Sequence, residues 1–371
     1  MPFLLQVNDR RATAGLYTQM ACAIAFCVYV FVYLYCYQGD VLAVGQHVLS
    51  GGQTHYVRIV GAVLITLALF VLQRGVFYLT KLTKRAHALT YFPSLLILTV
   101  ITDVSPNIDK GFSFGGWLVA FPLLLIIYGV GVVWLGKIQP YEPEDNNPGP
   151  FSRSAWINLL TMAVMFLMVG LFSNHNDVFH YRVKMERLIQ EGRYKKAIKV
   201  GMKSSSTDPA LTMLRAHALA HEGLLGERFF QYPIPEGMRT LLPNKDEART
   251  MLIPDSVVIL FAKSDSARTD YKLTELLLQR NLGDFAEMVV KVYTDSLMPR
   301  HYAEALLLNS HLRGKAKPEK SEKSEDEENE METLYEDFRR IQREYPPTQA
   351  ANYLRRNYGN TYWYYYYRKR P

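Results

Sequence analysis

Several apolar runs, each long enough to cross a lipid bilayer, constrain this chain more than any other feature. A membrane-spanning helix needs about 20 apolar residues to cross roughly 30 Å of hydrocarbon. Four runs meet that length, and a fifth, shorter run that carries Pro93 has a strongly apolar core. The sequence therefore predicts about five membrane-spanning helices. The predicted spans are Leu16 to Tyr37, Val57 to Leu79, Leu89 to Val104, Phe112 to Leu135 and Ala155 to Phe172.

The average composition conceals a division between an apolar half and a polar half. The 371 residues are 49% hydrophobic and 21% charged, and a mean hydropathy of −0.06 is typical of a soluble protein. These averages exclude a collagen-like, disulfide-rich or wholly disordered chain. The three cysteines, Cys22, Cys27 and Cys36, all lie in the first apolar run. The polar half therefore has neither a disulfide framework nor a cysteine-based metal site.

The distribution of Lys and Arg in the short loops predicts the orientation of the spans. Positive charges precede the first span and follow the second and fourth, whereas the alternate loops hold only Arg58 and Lys110 in comparable positions. We expect a cytoplasmic N-terminus in a bacterial inner membrane. Five crossings then place the second half in the periplasm. The charges that set this bias are Arg10, Arg11, Lys81, Lys84, Arg85, Lys137 and Arg153.

The second half has helical periodicity, and its beginning resembles a tetratricopeptide repeat. Gly192, Tyr194 and Ala197 fit the Gly-x-Tyr-x-x-Ala turn that opens the second helix of that repeat. Pro209 fits the residue that ends the hairpin, so the second helix is expected to reach about Lys203. The resemblance implies helical hairpins that stack into a solenoid with a concave surface.

A weaker copy of the same pattern follows later in the chain. Gly283 and Phe285 match the repeat, and Met288 replaces its small alanine. The amino-acid sequence of residues 223–230 and 297–308 also resembles that of uncharacterised multi-pass membrane proteins of Bacteroidota. That resemblance implies an inner-membrane location and no known chemistry.

These patterns predict an all-α chain with four regions. Residues 1–173 form a transmembrane helical domain, and residues 174–314 form a soluble domain that resembles tetratricopeptide repeats. Residues 315–332 are rich in Lys and Glu and lack apolar side chains, which is typical of a linker. Residues 333–371 form a helical segment with a Tyr-rich tail, which could dock on the helical domain, lie at the bilayer surface or bind a partner.

The search for catalytic and metal-binding motifs gives only weak candidates. His217 and His221 share a helix face and could ligate zinc, but the third ligand would have to come from elsewhere. Residues 49–53 spell Leu-Ser-Gly-Gly-Gln, which resembles the signature motif of ABC transporter ATPases, yet the chain has no phosphate-binding loop to accompany it. We interpret those five residues as a turn, and we expect no cofactor and no catalytic residue.

The sequence favours a non-enzymatic membrane protein whose periplasmic helical domain binds a protein partner, and cell-envelope assembly is the expected context. Membrane lipid and a periplasmic protein are the expected partners, and nucleic acid is not. One alternative is a membrane transport component with a regulatory soluble domain. Another is an envelope enzyme with a site near His175, Asp177 and His180, at the junction between the two halves.

Overall fold

The computed structural model describes residues 2–111, 113–141, 152–244, 247–293, 298–314 and 325–368. Over these residues the chain is helical and has no β-strand, which confirms the prediction of an all-α chain. The chain divides into two compact units, Met1–Asn176 and Asp177–Pro371. Each unit has its own hydrophobic core.

The first unit contains the long apolar helices that the sequence predicts. Within the described residues, four helices are long and apolar enough to cross a membrane: Gly15–Tyr37, Arg58–Thr80, Trp117–Tyr141 and Arg153–Phe172. The α-helices of this unit are α1 Pro2–Val32, α2 Gly39–Leu49, α3 Arg58–Thr80, α4 Phe92–Thr102, α5 Trp117–Ile138 and α6 Arg153–Phe172. The first of the four continues from α1 into a π-helical turn, Tyr33–Tyr37.

The fifth predicted span differs from the other four. Its α-helical part, α4, has only 11 residues and is about 16 Å long. It directly continues a 3-10 helix, Lys84–Tyr91, which adds roughly another 16 Å. The helical segment therefore begins at Lys84 rather than at Leu89, and most of its side chains are buried.

The core of the first unit forms where α1, α3 and α6 pack around the helical segment made of the 3-10 helix and α4. The ring of Phe26 lies 4.9 Å from that of Tyr91, and the ring of Tyr29 stacks on Phe166 at 3.9 Å. In contrast, α5 has no buried residue and exposes its apolar side chains along its length.

Polar side chains are buried among these helices and bond to backbone groups or to each other. Asn158 on α6 accepts a hydrogen bond from the backbone nitrogen of Ala88 (2.6 Å) and donates to the carbonyl of Lys84 (2.6 Å). Gln73 donates to the hydroxyl of Thr90 (2.9 Å). Asn158 thus binds α6 to the 3-10 helix that precedes α4.

The second unit consists of shorter helices around one apolar core. Leu211, Leu219, Leu277, Phe285 and Tyr302 are fully buried in it. Residues 315–324 of the predicted linker lie outside the described residues, and residues 325–332 begin α15. The α-helices are α7 Asp177–Gln190, α8 Tyr194–Ile198, α9 Pro209–His221, α10 Leu225–Arg228, α11 Asp255–Ala262, α12 Arg268–Leu278, α13 Leu282–Val292, α14 Arg300–Arg313, α15 Glu325–Glu344, α16 Pro347–Tyr358 and α17 Tyr362–Tyr367.

Three helix–turn–helix hairpins in this unit share one kind of turn. The turns follow α7, α9 and α12, and each has a residue with positive φ: Gly192 (69°), Gly223 (67°) and Arg280 (58°). In each turn this residue donates its backbone N–H to the carbonyl three positions earlier, and the next residue donates to the carbonyl five positions before it. This is the Schellman pattern that ends a helix with a left-handed residue.

Candidate functional site: an arginine-lined cleft beside the C-terminal aromatic helix

The residues of the first predicted repeat lie at the start of the second unit. Gly192 forms the left-handed turn, Tyr194 is the first residue of α8, and Ala197 is fully buried. Pro209 is the first residue of α9, after Asp208 caps that helix by accepting from the backbone nitrogen of Leu211. The α-helix expected to reach Lys203 ends at Ile198, so this hairpin has a much shorter second helix than the pattern predicts.

The second predicted repeat is displaced in the structure by three residues. Gly283 was expected in the turn, but it lies in the first turn of α13, and Arg280 takes the left-handed position instead. Phe285 is fully buried and its ring packs against that of Tyr302, with 5.6 Å between centroids. The glycine pattern therefore found the hairpin but aligned its turn incorrectly.

His217 and His221 lie in an aromatic cluster. His221 stacks between Tyr194, at 4.0 Å, and Phe261, at 3.6 Å, and His217 meets these rings edge-on. Burial, with a smaller contribution from the neighbouring His221, lowers the pKa of His217 to about 4. Within the described part of the chain, no three His, Cys, Asp or Glu side chains come together to hold a metal ion. The pair acts there as packed neutral rings.

The Leu-Ser-Gly-Gly-Gln segment ends a helix of the first unit. Gly51 has a φ of 60° and donates to the carbonyl of Val48, while Gly52 donates to that of His47. These bonds form the same Schellman turn at the end of α2. The two glycines of the segment thus have a conformational role.

A cleft of about 550 Å³ opens in the second unit where the turn after α12 meets the C-terminal end of the chain. This volume lies within the range of ligand-binding pockets in proteins. Its walls are the loop 234–239, the end of α12 with its turn, and the last turn of α17. Three arginines line it: Arg239, Arg280 and Arg368.

The side chain of Arg280 is held in a fixed position at the base of this cleft. Its guanidinium donates to the backbone carbonyls of Tyr365 (3.1 Å) and Arg368 (3.0 Å) and lies over the rings of Tyr365 and Tyr366. Its Nε is buried and has no hydrogen-bond partner among the described residues. A non-glycine residue in the left-handed region costs about 1 kcal/mol, whereas the other two hairpins use glycine there. The contacts of the guanidinium offset that cost.

The Tyr-rich tail forms one wall of the cleft because it docks on the second unit as α17. Tyr362 and Trp363 are almost fully buried. The hydroxyls of Tyr362 and Tyr365 donate to the carbonyls of Leu277 (3.1 Å) and Leu278 (2.9 Å), which belong to the last turn of α12. The Tyr365 hydroxyl therefore satisfies a carbonyl that the end of the helix leaves unpaired, and the Tyr362 hydroxyl adds a second bond to the Leu277 carbonyl, which already accepts from Arg280.

Glu304 on α14 holds the beginning of the same helix. Its Oε2 accepts from the backbone nitrogen of Tyr362 (2.7 Å), and its backbone carbonyl accepts from the Trp363 indole (2.9 Å). Its carboxylate also contacts Arg300 and His301, at 2.9 and 3.0 Å. Sequence reasoning missed this residue, because nothing in the local pattern around Glu304 indicates that the tail returns to it.

The cleft has an excess of positive charge. Arg239 is exposed, and Arg368 is paired with Glu236 at 3.1 Å, with both side chains substantially exposed. Three guanidinium groups against one carboxylate give the cleft a formal charge of +2. Apolar side chains of Ile234, Met238 and Leu278 lie beside these charges. The arrangement suits a ligand that carries negative charge on short apolar stems.

The described residues are thus all-helical, with four helices long and apolar enough to cross a membrane and a separate helical unit that contains a charged cleft. The chain belongs to a family of unknown function, DUF6057, whose profile matches residues 110–259 and 258–369. No curated protein gives a significant match to the chain, and no solved structure does.

Proposed function

We propose that this protein is a non-enzymatic, multi-pass inner-membrane protein whose second unit binds a protein partner in the periplasm. The observation that carries this proposal is the pairing of long, lipid-compatible apolar helices with a polar unit built from repeated helical hairpins. Such hairpins bury their apolar faces against each other and leave an extended surface for a partner. A role in cell-envelope assembly is consistent with that surface.

The exposed surface of α5 supports the membrane location. None of its 22 residues is buried, and large apolar side chains are exposed along its length, with Leu118 68% and Val119 72% exposed. An exposed apolar surface of this extent is unfavourable in water, whereas hydrocarbon accommodates it. We expect the lipid acyl chains to cover α5.

The count of five spans rests on the segment from Lys84 to Thr102. Its 3-10 and α-helical parts together are roughly 32 Å long, which is close to the thickness of the hydrocarbon core. Lys84 and Arg85 stand at one end, where the interface can solvate them, and Asp103 follows the other end. An odd number of spans places the N-terminus and the second unit on opposite sides.

The hairpins of the second unit support the resemblance to tetratricopeptide repeats. Three hairpins end their first helix with the same Schellman turn, and in the first of them Gly192 forms the turn, Tyr194 begins the second helix and Ala197 is buried. Proteins with such hairpins recognise a peptide or a helix of the partner in a groove. We propose the same mode of binding here.

Reporter fusions test the proposed topology. A reporter that is active only outside the cytoplasm, joined after Pro371, should be active, and the same reporter joined after Leu82, between α3 and the helical segment that begins at Lys84, should be inactive. A reporter that fluoresces only in the cytoplasm provides the reciprocal control. Cytoplasmic activity after Pro371 would contradict both the five spans and the periplasmic location of the second unit.

A further inference from the structure

We infer that the arginine-lined cleft of the second unit binds an acidic segment, containing Asp or Glu side chains, of a protein partner. This inference rests on the proposed partner-binding function and names the chemistry that the partner would present. Arg239, Arg280 and Arg368 supply the positive charge, and the cleft is open to solvent along its length.

The first argument is the preorganisation of Arg280. Its guanidinium is fixed by two carbonyls and two aromatic rings, so little side-chain entropy is lost when a ligand binds beside it. The left-handed backbone at this position would favour glycine, as in the equivalent turns at Gly192 and Gly223. The contacts with the C-terminal helix explain arginine here, and they also keep its positive charge at the base of the cleft.

The second argument is the carboxylate that already lies in the cleft. Glu236 lies among the arginines and pairs with Arg368. An Asp or Glu side chain of a ligand can replace Glu236 on Arg368 and form the planar, bidentate pair that guanidinium favours.

The third argument is the apolar lining of the cleft. Ile234, Met238 and Leu278 lie beside the guanidinium groups, and the Tyr365 ring is held by its own hydrogen bond to Leu278. Ile234, Met238 and Leu278 are themselves buried and form the floor, so the apolar surface open to a ligand is that of the half-buried Tyr365 ring. The methylene stems of Asp and Glu can pack on this ring, whereas a small inorganic anion gains little from it.

A binding assay with the purified full-length chain in detergent tests this inference. The probe is a fluorescent decapeptide of alternating Asp and Glu, and the matched probe replaces these residues by Asn and Gln. We expect the acidic peptide to bind, its affinity to fall as salt rises, and the amide peptide to bind at least tenfold more weakly. Equal binding of the two peptides would overturn the inference.

Two sets of variants locate the binding. The double variant Arg239→Gln and Arg368→Gln removes two exposed charges from the cleft and should weaken the acidic peptide about tenfold or more. The control, Arg355→Gln and Arg356→Gln, makes the same charge change on α16, outside the cleft, and should weaken it less than twofold. Equal effects of the two double variants would show only a general charge attraction and would overturn the inference.

Glu236→Gln gives a test of opposite sign. It frees Arg368 and removes a negative charge from the cleft, so the acidic peptide should bind severalfold more tightly. Unchanged or weaker binding would contradict the proposed position of the ligand.

Competition by inorganic phosphate tests whether the cleft binds any anion. Full displacement of the acidic peptide by millimolar phosphate would show a general anion site and would overturn the inference. Because this assay does not depend on which side of the membrane holds the second unit, its failure is distinguishable from a failure of the topology test.

Discussion

Substitution of Arg280 separates the two effects that the structure assigns to this residue. Its two charge-assisted hydrogen bonds to Tyr365 and Arg368 contribute about 1 kcal/mol each at this half-buried site, and its stacking on the tail aromatics adds about 0.5 kcal/mol. Arg280→Ala loses these contacts and keeps the left-handed backbone, so it should cost about 2.5 kcal/mol. Arg280→Gly loses the same contacts but relieves about 1 kcal/mol of backbone strain, so it should cost about 1.5 kcal/mol.

Hydrogen exchange and denaturant unfolding of the purified full chain report these two effects separately. Opening of α17 breaks the contacts of the guanidinium but does not change the turn after α12. Both variants should therefore accelerate amide exchange in residues 362–368 by about 30-fold or more, because each 1.4 kcal/mol corresponds to a factor of ten. In unfolding of the second unit, Arg280→Gly should be about 1 kcal/mol more stable than Arg280→Ala.

Gly192→Ala and Gly223→Ala are the controls for the backbone effect. An added Cβ meets no other atom within 4 Å at either position, so each substitution should cost about 1 kcal/mol through conformation alone. Neither should change exchange in α17. The reasoning would be refuted if Arg280→Ala left the exchange of α17 unchanged, or if the alanine and glycine variants were equally stable.

Three further substitutions test the packing of both units. Burial lowers the pKa of His217 to about 4 from an ordinary value near 6.5, so the imidazole binds a proton at higher pH in the unfolded chain than in the folded one. As the pH falls from 6.5 to 4, the free energy of unfolding should therefore fall by about 3 kcal/mol. His217→Phe should remove most of that loss, measured by unfolding at a series of pH values. Asn158→Leu leaves the Ala88 N–H and the Lys84 carbonyl without this partner and should destabilise the first unit by about 2 kcal/mol, measured by thermal unfolding in detergent. Gly226→Ala would bring a Cβ to 2.5 Å from the buried Tyr302 ring and should cost about 2 kcal/mol in denaturant unfolding. A free energy of unfolding of the wild type that does not change between pH 6.5 and 4 would contradict the burial of His217. Wild-type stability of Asn158→Leu or of Gly226→Ala would contradict the contacts at that position.

The apolar runs were predictable because a helix that is apolar on all sides leaves a strong signal in the sequence. The fifth predicted span was harder to delimit, because its buried face holds His87, Thr90 and Ser94, whose polar groups bond within the first unit. Their partners lie in α3 and in the turn after it, 5–25 residues away along the chain. The helical segment starts at Lys84, outside the apolar run from which the span was predicted.

The hairpins of the second unit were predictable only where glycine forms the turn. Gly192 lies in a left-handed turn, whereas Gly283 lies three residues after the turn at Arg280, since arginine is rare at a left-handed position. The role of Arg280 depends on Tyr365 and Arg368, which follow it by more than 80 residues. No local pattern connects such distant residues, so the cleft could not be predicted from the sequence.

Crosslinking in living cells tests most directly whether the second unit binds a protein partner. A photo-reactive amino acid at Gln279, an exposed residue of the cleft, should give an adduct with a discrete protein, and one at Arg355 on α16 should not. The adduct should disappear when Arg239 and Arg368 are both changed to Gln. An adduct that is unaffected by the loss of these arginines, or the absence of any adduct from the cleft, would contradict the account.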